Sequence, residues 1–317
     1  MKGMTVHTVS RKRPSGSSLF NKRNSPQRRK EIVTAYLFIL PLCIGAFLFL
    51  VLPIFQNLYY SFTSWKGIGD VKWVQFNNYI RMFTTDKKFS NELKNTFVFV
   101  LGSIPATLII SILLAALMNQ KIRAVSFFRV VYFLPNVTMA AVVAMVWRWL
   151  MNSQYGIIDV VLDALFGIRP AWLSDTSLTM VSMCVITIWS SCGYCIVILI
   201  AGLQSISGTY YEAARIDGAG SVRMFFNITL PLLTPTIFFL LITRVIGAFN
   251  QFDLVYMLTD FPGPVQNSLR TLVFGIYQSG FSDNNMGYAC AKSTVLLLII
   301  VAVTLVQMRG EKRWVNY

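Results

Sequence analysis

Charge is scarce in this chain, and negative charge scarcer still. Of its 317 residues only 13% are charged, with 13 Asp and Glu against 28 Lys and Arg. A soluble domain carries about a quarter charged residues. With 55% hydrophobic residues, the chain needs lipid as its solvent. Histidine occurs once, as His7, so hydrolytic chemistry lacks its usual parts. Five cysteines (Cys43, Cys184, Cys192, Cys195 and Cys290) all fall in apolar segments. Cys192 and Cys195 make a single Cys-x-x-Cys spacing without the further Cys or His ligands that a metal wants; small polarisable packing residues are the simpler reading. No G-x-x-x-x-G-K-[ST] loop is present, so the chain is not expected to bind ATP itself. Gly218-Ala219-Gly220 follows no strand and is no dinucleotide site. Alternating barrel strands and a solenoid period are absent too.

What the chain has is long apolar runs. Crossing the hydrocarbon core takes about 20 mainly apolar residues, and six segments meet this: 33–55, 96–118, 128–151, 178–203, 233–258 and 287–308. Backbone polar groups cannot stay unpaired in lipid, so the fold class is all-α, a polytopic bundle of six transmembrane helices. The first run is too long for a signal-peptide core and lacks a cleavage site; it is expected to remain as an anchor. Pro105 and Pro135 should kink spans two and three. Segment 56–95, with Tyr59, Tyr60, Trp65, Trp73 and Tyr79, suits the headgroup boundary.

The positive charge is unevenly placed. Residues 1–30 hold nine Lys and Arg and no acid. A nucleic-acid-binding tail is one reading, but a basic flank before a first span more simply fixes orientation and touches anionic lipid. Six spans put both termini on one side. That side carries 17 Lys and Arg and the other eight, so the termini are expected in the cytoplasm. The domains are therefore a basic tail (1–30), a six-span transmembrane body (31–308) and a short tail (309–317).

One cytoplasmic segment differs from the rest. Over 209–231, Thr209 and Glu212 read as a T-x-x-E capping box that starts a helix. Ala213 and Ala214 favour it, and Gly218 and Gly220 let the backbone stop and bend. Ser221 caps a second short helix, and Pro231 follows its apolar stretch. The small face of Ala213, Ala214, Gly218 and Ala219 suits a groove in another protein, with Glu212, Arg215 and Asp217 to orient it. From these residues alone, a docking element and an ordinary turn between spans both stay open.

Glu212-Ala213-Ala214, three residues, Gly218, nine residues, Ile228, one residue and Leu230-Pro231 resembles the signature of binding-protein-dependent ABC importer permeases, with every spacing matched. The likeness extends to Tyr36-Leu37-Phe38 through Pro53, Ser61-Phe62-Thr63-Ser64-Trp65, Asn78-Tyr79, Asn95-Thr96, Arg129 to Pro135, Gly156, Trp172-Leu173, Ala201-Gly202-Leu203-Gln204, Tyr277 and Trp314-Val315-Asn316-Tyr317. It is similar to the carbohydrate branch, which includes the maltose and glycerol-phosphate permeases, without the maltose protein's large outer insertion. The resemblance implies that Glu212, Ala213, Ala214 and Gly218 couple to a cytoplasmic ATPase, and Asp217 is grouped with them for its orienting charge. It also implies a second permease, usually a different chain, and an extracellular solute-binding protein. No cofactor is expected in this chain, since ATP and Mg bind the ATPase subunits. The location implied is a bacterial or archaeal plasma membrane, and no nucleic acid is implied as partner. Two positions depart from the pattern: Ser207 stands where a proline is usual, and Leu258-Thr259-Asp260-Phe261-Pro262-Gly263-Pro264 replaces a Gly-Gly-Pro-type turn.

A charged group inside a span suggests a pathway or a pair. Span five holds Arg244, Asn250, Gln251 and Asp253, and Asn250 and Asp253, three apart, are expected to share a helix face. Phe249, Phe252, Tyr256, Trp189 and Tyr194 offer plates for a sugar ring. The substrate-pathway candidates are thus Asn250, Gln251, Asp253, Tyr256, Trp189 and Tyr194, with bundle packing as the plainer alternative. Lys292 is long enough to snorkel. An ion-driven secondary transporter would show inverted repeats with broken helices, which are not apparent. A membrane enzyme or sensor would need buried catalytic groups or an attached soluble domain.

Overall fold

The computed structural model describes residues 26–120, 125–258 and 264–315. Residues 1–25 of the basic tail, Lys121 and Arg123, most of the turn at 258–264 and the last two residues lie outside them, and the last five residues of the tail already belong to the first helix. The chain divides after Gln56 into two units. The described part of the first unit is helix: α1 (Pro26–Ala46), a π-turn (Phe47–Val51) and the start of α2 (Leu52–Tyr60). Its apolar side chains are exposed, Phe38 by 82%, as befits a helix whose solvent is lipid.

The second unit contains α3 (Asn77–Thr84), α4 (Lys87–Met118), α5 (Val125–Val137), α6 (Ala140–Leu150), α7 (Ile157–Phe166), α8 (Thr179–Ser205), α9 (Gly208–Ile216), α10 (Ser221–Met224), α11 (Leu230–Leu232), α12 (Thr234–Phe249), α13 (Asp253–Leu258), α14 (Pro264–Leu269), α15 (Leu272–Tyr277) and α16 (Met286–Trp314). Among the described residues four stretches are long and apolar enough to cross a membrane: Lys30–Tyr60, Lys87–Met118, Thr179–Ser205 and Met286–Trp314. Two bent pairs bring the number to six when each pair is counted as one span. Phe127–Val137 meets Ala140–Leu150 at 103°, and Ser221–Leu232 meets Thr234–Phe249 at 62°.

The helices α4 and α8 form the centre. They run in the same direction, since Gly102 faces Cys184 and the Cys192 thiol reaches the Thr107 carbonyl. Along the buried face of α4 the hydroxyls of Thr96, Ser103 and Thr107 return to carbonyls one turn back. Hydroxyls satisfied within their own helix can be buried at low cost. At Gly193 in α8 the Tyr132 carbonyl of α5 comes so close that a Cβ would lie 1.9 Å from its oxygen. Only glycine permits that backbone-on-backbone contact.

Three boundaries differ from the sequence expectation. Span two begins at Lys87 rather than 96, because Asp86 caps α4 by accepting from the amides of Lys88 and Phe89. Span three is broken rather than kinked. Pro135 withholds a helical donor, and Met139, at φ −57° and ψ 135°, is extended. Pro105, by contrast, sits inside the continuous α4. Span five stops at Phe249, so 233–258 is not one helix. Asn250 turns its amide onto the Ile246 carbonyl at the end of α12, and a new helix starts at Asp253. Asn250 and Asp253 therefore share no helix face.

Candidate functional site

Two ends of the second unit can be told apart by contacts. Gly202 meets Thr236, and Phe238 packs on Trp314 at 5.9 Å, placing the ends of α8 and α16 with the start of α12. This is the hinge end, since 207–232 joins α8 to α12 there. At the far end the start of α4 meets the start of α16.

At the hinge end, Ser207 is the N-cap of α9. Its Oγ accepts from the Thr209 amide at 3.4 Å and shares a hydrogen bond with the Thr209 hydroxyl. The capping box expected from Thr209 and Glu212 is therefore displaced: Thr209 lies inside the helix, and the serine that departs from the family's proline does the capping. The helix closes on a Schellman turn. Gly218, at φ +74°, bonds its N–H to Arg215, and Ala219 bonds to Ala214. A side chain at 218 would be strained in this left-handed conformation. Gly220, not Ser221, caps α10, with no side-chain hydrogen bond. A π-turn over Phe225–Thr229 carries the helix into α11, where Pro231 has no N–H to give. The Tyr211 hydroxyl meets that of Thr229 at 3.0 Å, bracing α9 against this second helix.

Glu212, Ala213, Asp217 and Gly218 are exposed and Ala214 is half-buried. Beside them stand apolar side chains in the open: Ile216 is 87% and Val222 72% exposed. A notch of about 200 Å³, lined by Ala214, Asp217, Ala219, Arg223, Met224, Asn227 and Ile228, separates the two helices.

Midway along the bundle the two helix breaks face one another. The α5–α6 break, α8 and the α12–α13 break enclose a cleft of about 260 Å³ whose polar lining is Asn136, Thr138, Thr187, Ser190, Ser191, Gln251 and Asp253. The Thr187 Oγ1 is buried without a protein partner. Of the pathway candidates, Gln251 and Asp253 line this cleft, and Asn250 adjoins it without lining it. Tyr256 belongs to a neighbouring aromatic group. Trp189 is half-exposed and meets Trp147 edge-on at 5.5 Å. Tyr194 lies under the Arg244 guanidinium at 4.6 Å, which also donates to the Ser191 carbonyl and the Cys195 sulfur. That pairing accounts for an arginine within a span and gives Cys195 a polar role besides packing.

The far end holds what the sequence did not single out. Glu92 is fully buried. Its Oε1 takes Arg270 Nε at 2.6 Å and its Oε2 takes Lys292 Nζ at 2.8 Å; Arg270 is 4% and Lys292 1% exposed. Lys292 thus does not snorkel; it is paired. Asp86 lies 3.9 Å from Lys292 and accepts from the Tyr288 hydroxyl at 2.6 Å. Burial alone would push the Asp86 carboxyl up. The Tyr288 hydroxyl, Lys292 and the amides of Phe89 and Lys88 together hold it below its ordinary value. Gly275 makes room for the carboxylate: a Cβ there would lie 2.1 Å from Glu92 Cδ. The signal available in the sequence was a lone acid, Glu92, among the first turns of an apolar helix.

Residues 87–315 match the family described as binding-protein-dependent transport system inner membrane component. A Bacillus subtilis (strain 168) protein named as a probable ABC transporter permease, YesP, is 33% identical over 96% of this chain and 98% of its own length. The Thermoanaerobacterium thermosulfurigenes protein AmyD, named as a probable starch degradation products transport system permease, is 30% identical over 88% of this chain and 94% of its own. Among solved structures, a chain of a bacterial alginate ABC transporter, crystallised with an alginate pentasaccharide-bound periplasmic protein, superposes with a TM-score of 0.80. It is 21% identical, over 90% of this chain and 96% of that one; it shows a shared fold.

Proposed function

The chain belongs to the binding-protein-dependent transport system inner membrane components, and on that premise we propose that it is the permease subunit of an ATP-driven importer of sugars. The observation that carries this is the hinge: two short helices, locked by a Schellman turn at Gly218 and braced by Tyr211 on Thr229, present exposed charges of both signs beside exposed apolar side chains. A rigid plug of this kind passes a partner's movement on as a body. Its neighbours are α8, which runs into α9 at Ser207, and α12, which follows α11 at Leu233. A push on the hinge therefore acts on the two helices that border the polar cleft.

In this reading the hinge and both termini lie in the cytoplasm, in accord with the bias of positive charge. Glu212, Ala213, Ala214, Asp217 and Gly218 seat in a cleft of an ABC ATPase, where ATP and Mg bind and hydrolysis takes place. A second permease chain completes the pathway, and a solute-binding protein delivers solute at the far end. The helix breaks at 137–140 and 249–253 bring polar side chains to a cavity, the setting in which irregular backbone is tolerated at membrane depth. Gln251, Asp253, Thr187 and Ser190 supply hydroxyl-matching groups, and Asn250 stands beside them. The starch-product relative points to the same solute class.

Co-purification with the ATPase tests the coupling. Glu212→Lys is expected to abolish capture of the ATPase and ATP-driven uptake while the chain stays in the membrane at normal level. Full coupling in the variant would remove Glu212 from the contact.

A further inference from the structure

Four aromatic rings run unbroken from the cleft along the outer helices. Phe252, in the break between α12 and α13, stacks on Tyr256 at 5.3 Å and meets Tyr277 at 5.0 Å. Tyr256 and Tyr277 meet edge to face at 5.5 Å. Tyr277 in turn meets Phe281 at 5.2 Å. Phe281 is 65% and Tyr256 42% exposed, while Phe252 and Tyr277 are half-buried, so the ladder opens at two of its four rungs.

Lipid is a poor occupant of this strip. Gln251 and Asp253 flank Phe252, and Asp253 is exposed; a bare carboxylate beside the first rung requires water or a polar ligand. The first rung also adjoins the cleft where Thr187 Oγ1 has no partner and where Asn136, Thr138 and Ser190 converge. Beyond the rings, the next residue, Gln278, carries a buried amide oxygen without a partner. The ligand that matches aromatic faces alternating with hydroxyl-binding groups is a sugar ring, with apolar C–H faces and a polar edge. Charge narrows the class. The cleft lining contains one carboxylate and no Lys or Arg, which disfavours phosphate or uronate groups by repulsion without compensation.

We propose that Phe252, Tyr256, Tyr277 and Phe281 form a binding strip for an uncharged pyranose oligosaccharide, which they pass to the Gln251–Asp253 cleft. This deepens the permease reading and rests on it.

The test uses the assembled importer in proteoliposomes: the full chain, its sister permease, the ATPase and the solute-binding protein. A mixture of neutral and acidic labelled oligosaccharides, with glycerol phosphate, is offered with ATP inside. The strip predicts that the accumulated compounds are neutral. Tyr277→Leu and Phe281→Leu should each raise KM for them roughly threefold to tenfold, the loss of one ring contact. Phe281→Trp should bring KM back, with the sister permease retained in every variant. Accumulation of acidic compounds only, an unchanged KM in both Leu variants, or loss of the sister permease from them would overturn the proposal; the last outcome would make the strip a subunit contact. No ATP-driven uptake of any compound, with no ATPase bound, would instead overturn the permease reading beneath it.

Discussion

The hinge at 207–232 and the charged cluster at Glu92, Arg270 and Lys292 solve opposite problems at opposite ends of the bundle. At the hinge, charges and apolar side chains stand exposed, and the segment holds its shape by backbone geometry: a serine cap, a Schellman turn and one tyrosine brace. At the far end the charges are dry and hold three separate pieces of chain together, α4, the stretch before α15, and α16. A charge kept in water costs little and can serve a partner. A charge buried in the bundle must be matched inside the molecule or it destabilises the fold. The same residue types thus stand in solvent at one end, where the proposed partner would bind, and form a clamp at the other.

The sharpest way to break this comparison is at the clamp. Glu92→Ala leaves two buried cations against only Asp86, and removal of one partner from a buried pair costs about 3–5 kcal/mol. Membrane level and the thermal midpoint of the purified chain should both fall steeply. A normal midpoint would show that the cluster is not what holds the far end. Next in size is Gly193→Ala, where the new methyl would meet the Tyr132 carbonyl. Overpacking of this kind costs about 1–3 kcal/mol, read as a lower midpoint, and an unchanged one would mean that α5 yields. The smallest stability effect belongs to the hinge. Ser207→Ala removes a helix cap worth about 1 kcal/mol, so its midpoint should move little while uptake falls as α9 frays. Ser207→Pro restores the residue usual in the family and should keep uptake. Glu212→Lys sharpens the contrast further: loss of coupling with an unchanged midpoint is the signature of a surface residue, and a collapse like that of Glu92→Ala would erase the distinction.

The hinge was legible because its information is local. The motif, the small residues and the glycine at 218 fall within one short stretch, and helix ends obey nearest-neighbour geometry. Even so, the cap was misplaced: Ser207, Thr209 and Ser221 are all chemically able to cap, and only backbone conformation selects among them. The clamp was illegible for the converse reason. Glu92 reads as a loop acid if span two is started at 96, and its partners lie 178 and 200 residues away. The pathway candidates fell between these cases. The residue types at 250–256 are unusual for a span and drew notice, but their faces were misassigned, because hydropathy is blind to a break that keeps its apolar composition.

The sequence alone determined that this protein lives in lipid and that its elements are helices, and it singled out the 209–231 segment. Each follows from composition, run length and spacing along a contiguous stretch. Tertiary structure decided where spans three and five break, which polar groups those breaks bring into one cleft, and that Arg270 and Lys292 are neutralised by Glu92. Those outcomes depend on side chains far apart in the chain competing for the same few partners in a medium that offers no water.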